Sequence, residues 1–210
     1  MTGEQAFEKI KNFLGKTLEQ IRDETSTHLE IKEVHRANKG WLGIILELVL
    51  GKTPDNKQLP DLEDGTEIKK VSIVKGVKGY RVKETLQVTM INPNSPLEPE
   101  FTKSHLYTKT RKILLIPTLY AGKGNHEKEI LLPPVLWQPD ENFDGRLKKD
   151  YELVAGIVLD PSKGFKSLSG KLGDVVQPRT KGAKNSFTRA FYLRTQSVKE
   201  MLGDNYLGEL

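Results

Sequence analysis

The 210-residue chain contains no cysteine, so disulfides, cysteine-bound zinc and a thiol nucleophile are excluded. It also lacks long apolar runs. The greasiest stretch, Trp41 to Leu50, is about half of the ~20 residues a membrane span needs, and it carries Glu47. The first residues form a charged amphipathic segment rather than the apolar centre of a secretory signal, so the expectation is a soluble, cytoplasmic protein. No internal repeat and no low-complexity segment is present. His28, His35, His105 and His126 lack metal-ligand spacing and read as structural or surface residues.

What is present is an uneven charge. Lys and Arg outnumber Asp and Glu by 33 to 28, a mild surplus that permits a polyanionic partner without requiring one. Its placement says more. Lys103, Lys109, Arg111 and Lys112 crowd one short segment. Over 163–194, Lys163, Lys166, Lys171, Arg179, Lys181, Lys184, Arg189 and Arg194 meet a single acid, Asp174. Such a stripe suits phosphates, and a solvated lysine-rich face is the plainer alternative.

Phe7, Ile10, Leu14, Leu18 and Ile21 recur at helical spacing, which predicts a helix over 4–22. A second, apolar on nearly every side, spans about 40–50 and stops at Gly51. From Glu67 the period becomes two: a strand over 67–74, with Thr85–Ile91 as its neighbour and Gly76 and Gly79 in the connection. Lys112–Ile116 reads as a buried strand capped by Pro117, and Glu129–Leu132 as another, halted by Pro133 and Pro134. A helix over 142–159, strand signals at 174–177 and 187–194 and a helix over 196–202 complete the pattern, with 160–186 loop-like. The fold class is α/β (α+β), a central mixed sheet flanked by helices. The length suits one domain, divisible into lobes of about 1–100 and 101–210.

The segment from Pro60 to Lys69 carries the chemistry. Strand alternation puts Glu67 and Lys69 on one face and Ile68 on the other, while the Asp64-Gly65 turn lets Asp61 swing towards the first pair. Two carboxylates and an ammonium at one spot suit a divalent cation and a phosphate. A charged, solvated hairpin is the bland alternative. Glu47 is a second oddity, because an ionised Glu in an apolar helix needs a pair, a cation or a polar seam facing water.

Together these pieces resemble the family of the mismatch-repair endonuclease MutH and the type II restriction endonucleases that cut at GATC. Lys39-Gly40-Trp41-Leu42-Gly43 through Glu47 to Leu50-Gly51 is similar to the helix bearing the family's leading glutamate. Pro60-Asp61 with Glu67-Ile68-Lys69 resembles the PD-(D/E)xK core. Ser104-His105-Leu106 and Lys109 before Ile113–Pro117 resemble the segment of an additional active-site lysine. Arg179-Thr180-Lys181-Gly182-Ala183 and then Arg189–Leu193 resemble the DNA-reading loop and the strand after it.

The resemblance implies a restriction-endonuclease-like core with a C-terminal DNA-reading lobe. It also implies a Mg²⁺-dependent enzyme hydrolysing phosphodiester bonds of double-stranded DNA, as a monomer or homodimer. Asp61, Glu67 and Glu47 would hold the metal. Lys69 would orient the attacking water or stabilise charge on phosphorus, and Lys109 would reach the scissile phosphate. Arg179, Lys181, Lys184 and Tyr192 would contact DNA. The chain departs from the family in its Asp-to-Glu interval, which is one residue shorter than D-x6-E. The turn must then be tighter, or Asp64 or Glu63 replaces Asp61. The loop wording favours restriction at GATC or a related short site. A nicking repair enzyme with a partner protein, and an inactive DNA-binding module, are the alternatives.

Overall fold

The structure, a computed structural model, describes residues 1–26, 45–46, 49–51, 59–92, 97–182 and 188–210. In chain order the elements are α1 (Gly3–Lys11), α2 (Leu18–Ser26), β1 (Glu67–Gly76), β2 (Gly79–Val82), β3 (Leu86–Ile91), α3 (His105–Thr110) and β4 (Ile113–Leu119). There follow β5 (Ile130–Leu131), β6 (Val135–Trp137), α4 (Glu141–Leu159), β7 (Val176–Thr180), β8 (Arg189–Leu193) and α5 (Thr195–Leu202).

A five-stranded mixed sheet holds the order β2-β1-β4-β5, with β6 also on β4. Its centre is the parallel pair β1 and β4, in register from Glu67 against Ile113 to Ile73 against Leu119. Both faces of this pair are covered, which is why β4 begins with four consecutive apolar residues. Val71, Ile73, Ile113 and Leu115 enter the larger core with Phe143 and Tyr151 of α4 and Phe191 of β8. Ile68, Leu114 and Ile116 enter a smaller core with Ala6, Ile10, Leu18 and Ile21, joined by Ile45, Leu46, Val49 and Leu50. The mixed sheet flanked by helices is as expected. Beside it stands a second sheet, antiparallel, in the order β3-β8-β7, sharing the larger core.

Four expectations need correction. The helix over 4–22 is two helices, because Thr17 starts α2 with a box of its own: Thr17 N–H donates to Gln20 Oε1 at 2.8 Å and Gln20 N–H to Thr17 Oγ1 at 3.2 Å. The linking turn is pinned to β5, with Gly15 N–H on Leu131 O at 3.0 Å and Leu131 N–H on Lys16 O at 2.9 Å. β1's sequence neighbour is β2, through a tight hairpin at Gly76 and Gly79, whereas β3 pairs with β8 in the other sheet. Pro117 does not end β4. It falls where the outer partner changes from β6, paired at 113–115, to β5, paired at 118–119, and its carbonyl accepts from Leu132 N–H.

Finally, the described part of 160–186 holds more structure than a loop. Asp150 accepts from the N–H groups of Asp174, Val175 and Val176 at 2.6–2.9 Å, and Arg194 donates to the carbonyls of Gly170, Leu172 and Gly173. α3 carries no long periodic signal and was not anticipated. The 40–50 helix lies mostly outside the described residues. Among those described, no helix is long and apolar enough to cross a membrane.

Candidate active site

The turn before β1 is built by backbone bonds. Leu62 N–H donates to Thr66 O at 2.9 Å and Gly65 N–H to Leu62 O at 3.0 Å, with Gly65 at a φ of +82° that favours glycine. Out of this turn Asp61 Oδ2 accepts from Ile68 N–H at 2.9 Å, which places its carboxylate beside the first residues of β1. The two replacements weighed for Asp61 are engaged elsewhere. Asp64 accepts from Gly3 N–H, Thr66 N–H and Lys112 Nζ, and Glu63 meets the N-terminal ammonium at 2.9 Å. Burial works against the ionised Asp64, yet these N–H groups and the Lys112 ammonium hold its carboxyl well below the usual carboxylate range.

Glu67 follows as the first residue of β1, its N–H bonded to Lys112 O at 2.9 Å. Its side chain is 1% exposed. A carboxylate so deeply placed must be compensated. Lys69, two residues along the strand and so on the same face, brings Nζ to 2.6 Å from Oε1. Lys109 arrives from the far side, its Nζ at 3.0 and 3.1 Å from the two oxygens. It is delivered by α3, whose start is capped by Ser104 accepting from Tyr107 N–H at 3.0 Å and whose buried face carries Leu106 and Thr110. The arrangement sets two ammonium groups against the buried Glu67 carboxylate, with the Asp61 carboxylate at the same end of β1.

Asp61 and Glu67 offer hard oxygen donors. Two carboxylates fit Mg²⁺, which keeps several waters and takes its remaining contacts from substrate phosphate. Among the described residues no group of three His, Cys, Asp or Glu side chains gathers as a metal site. Glu47, the third ligand expected, lies outside the described residues, though its neighbours Leu46 and Val49 pack in the core that contains Ile68.

The expected DNA-contacting residues sit on the second sheet. Arg179 is exposed on β7, its Nη1 donating to Thr85 Oγ1 at 2.7 Å and its guanidinium 5.7 Å from the centre of the Tyr192 ring. Tyr192 is half-buried and its hydroxyl donates to Gln87 Oε1 at 3.4 Å, while Phe191 fills the core behind it. Burial raises the Tyr192 phenol above its ordinary value. Lys181 is exposed, its N–H closing the β7–β8 connection on Thr188 O at 2.9 Å. Lys184 lies outside the described residues. The structure thus brings Glu67, Lys69 and Lys109 together, with Asp61 against the next backbone N–H. Thr85 and Gln87, beside Arg179 and Tyr192, escaped the sequence reading, because β3 was assigned to the other sheet.

The family model described as DNA mismatch repair enzyme MutH matches residues 50–150, from the end of the apolar segment to the middle of α4. The DNA mismatch repair protein MutH of Histophilus somni (strain 2336) is 27% identical, covering 95% of this chain and 93% of that protein. The protein of that name from Vibrio cholerae serotype O1 (strain M66-2) is 28% identical over 98% of this chain and 97% of its own. The one from Haemophilus influenzae (strain PittGG) is 26% identical over 88% and 80%.

Proposed function

Starting from a chain that belongs to the MutH family, we propose that it is a Mg²⁺-dependent DNA endonuclease that nicks one strand at GATC or a related short site in mismatch repair. One observation carries the catalytic part: the buried Glu67 carboxylate bracketed by Lys69 and Lys109, with Asp61 fixed beside it. The relatives' mismatch-repair names weigh towards nicking over the restriction reading that the Arg179–Ala183 loop favoured.

In this reading Asp61 and Glu67 hold the ion, with Glu47 completing the set. When bound, Mg²⁺ supplies an activated water and polarises the scissile phosphate. Lys69 and Lys109, which hold Glu67 in the free protein, would serve the phosphate in the loaded site. Lys69 orients the water and opposes the charge that develops on phosphorus, and Lys109 holds a non-bridging oxygen. The low exposure of the pocket strengthens both interactions relative to bulk water. Arg179 and Lys181 present donors suited to guanine O6 and N7, with Lys184 and Tyr192 as further contacts.

The test is a digest of supercoiled plasmid, with and without adenine methylation, in Mg²⁺. Accumulating open circles support the repair reading, with a mismatch-repair partner protein raising the rate. Linear fragments of fixed size would support restriction by two copies. Tight DNA binding without any cleavage would leave a binding module and refute the endonuclease.

A further inference from the structure

Asp64 belongs to no part of the proposed chemistry, yet it is among the most heavily bonded carboxylates of the molecule. Its Oδ2 accepts from Gly3 N–H at 2.9 Å and Lys112 Nζ at 2.7 Å, and its Oδ1 from Thr66 N–H at 3.3 Å. Lys112 Nζ also reaches Glu4 Oε1 at 2.7 Å, and the Lys112 carbonyl holds the Glu67 N–H. The knot therefore ties the first turn of α1, the start of β4 and the turn before β1 at one point.

Gly3 shows how closely these parts meet. A Cβ on it would lie 2.4 Å from Thr66 Oγ1 and 3.1 Å from both Thr66 Cγ2 and Lys112 Cε. Thr66 is buried and β-branched, so it has little room to yield. Glycine is a poor helix former, and its place in the first turn of α1 follows from this approach rather than from local preference. Only five residues separate Asp61 from Glu67, so the turn must be drawn tight. Asp64 draws it.

We propose that Asp64, clamped by Gly3 and Lys112, is a positioning residue that fixes Asp61 relative to Glu67, making the first turn of α1 part of the active-site scaffold. This rests on the endonuclease reading for its consequence, though not for its geometry.

The experiment compares wild type, Gly3→Ala, Asp64→Asn and the double variant Gly3→Ala/Thr66→Ala. Two quantities are read: hydrogen exchange of the Ile68 amide in the free protein without metal or DNA, and the Mg²⁺ concentration giving half-maximal nicking. Helix propensity alone predicts that Gly3→Ala stabilises the protein and leaves both quantities unchanged. Our inference predicts severalfold faster Ile68 exchange relative to Val71, and a severalfold higher Mg²⁺ requirement, in Gly3→Ala and Asp64→Asn. The double variant should recover both, because removing the Thr66 side chain makes room for the new methyl.

Unchanged Ile68 exchange and Mg²⁺ dependence in folded Gly3→Ala and Asp64→Asn would overturn the inference. Should Gly3→Ala fail to fold, a double variant no better than it would do the same, and recovery in the double would support the clamp. A wild type that never nicks, with Ile68 exchange altered as expected, would sink the endonuclease reading and leave the positioning role standing.

Discussion

Two buried carboxylates stand on opposite faces of the β1–β4 pair, and their surroundings differ in a telling way. Glu129, fully buried, is closed off by unlike donors: Lys70 Nζ and Thr118 Oγ1 at 2.6 Å from Oε2, and His126 Nδ1 at 3.0 Å from Oε1. Burial opposes its ionisation, but the Lys70 charge and the bonds from His126, Lys70 and Thr118 hold its carboxyl below the ordinary value. Burial likewise pulls the Lys70 ammonium down, against the attraction of Glu129. One full cation meets one anion there. Around Glu67, two ammonium groups on long, reorientable stems meet its carboxylate, with Asp61 on the next backbone N–H. Among the described residues, the structural carboxylate is held by one lysine and two further side chains, whereas Glu67 is held by two lysines.

The comparison can be broken most forcefully at Lys70. Lys70→Ala strands Glu129 without its cation and should destabilise the protein by about 3–5 kcal/mol in urea unfolding, with turnover per folded molecule retained. A loss under about 1 kcal/mol would mean that Thr118 and His126 suffice. Lys69→Ala should do the reverse. Lys109 still neutralises Glu67, so stability holds, while nicking slows by about 10²–10³-fold as charge stabilisation is lost. Equal rates with wild type would remove Lys69 from the chemistry.

Lys181→Ala should cost roughly 1–3 kcal/mol of discrimination between the target and a site changed at one base pair, measured as a ratio of kcat/KM. A uniform loss on all sequences would make it a phosphate contact. The smallest effect concerns acid. Because the Glu129 carboxyl is lowered on folding, its contribution is present above the ordinary value of ~4.3 and lost as pH falls through the lowered one. The stability gap between wild type and Glu129→Gln should therefore shrink on acidification from about pH 5. A gap that widens in that direction would contradict the assignment.

The two carboxylates also show what could be read in advance. Glu67 and Lys69 were legible because strand alternation fixes which face each takes, a local rule that tertiary contacts seldom override. Lys109 was found by resemblance alone, since the six residues of α3 are too few for a periodic signal. Glu129, Lys70 and Thr118 went unread: their meeting depends on how β4 pairs with β1 and β5, and those pairings join residues far apart in the chain. The same limit misplaced β3, which is adjacent in sequence to β2 but closes a different sheet against β8. The knot at Asp64 was visible only as a turn, because its other half lies in the first residues of the chain.

The most direct measurement is plasmid nicking by Glu67→Gln beside Glu129→Gln, each assayed where circular dichroism shows it folded. The account predicts that Glu129→Gln converts supercoiled plasmid to open circles at a rate near wild type, while Glu67→Gln, equally folded, leaves it supercoiled. Nicking by Glu67→Gln at the wild-type rate would contradict it.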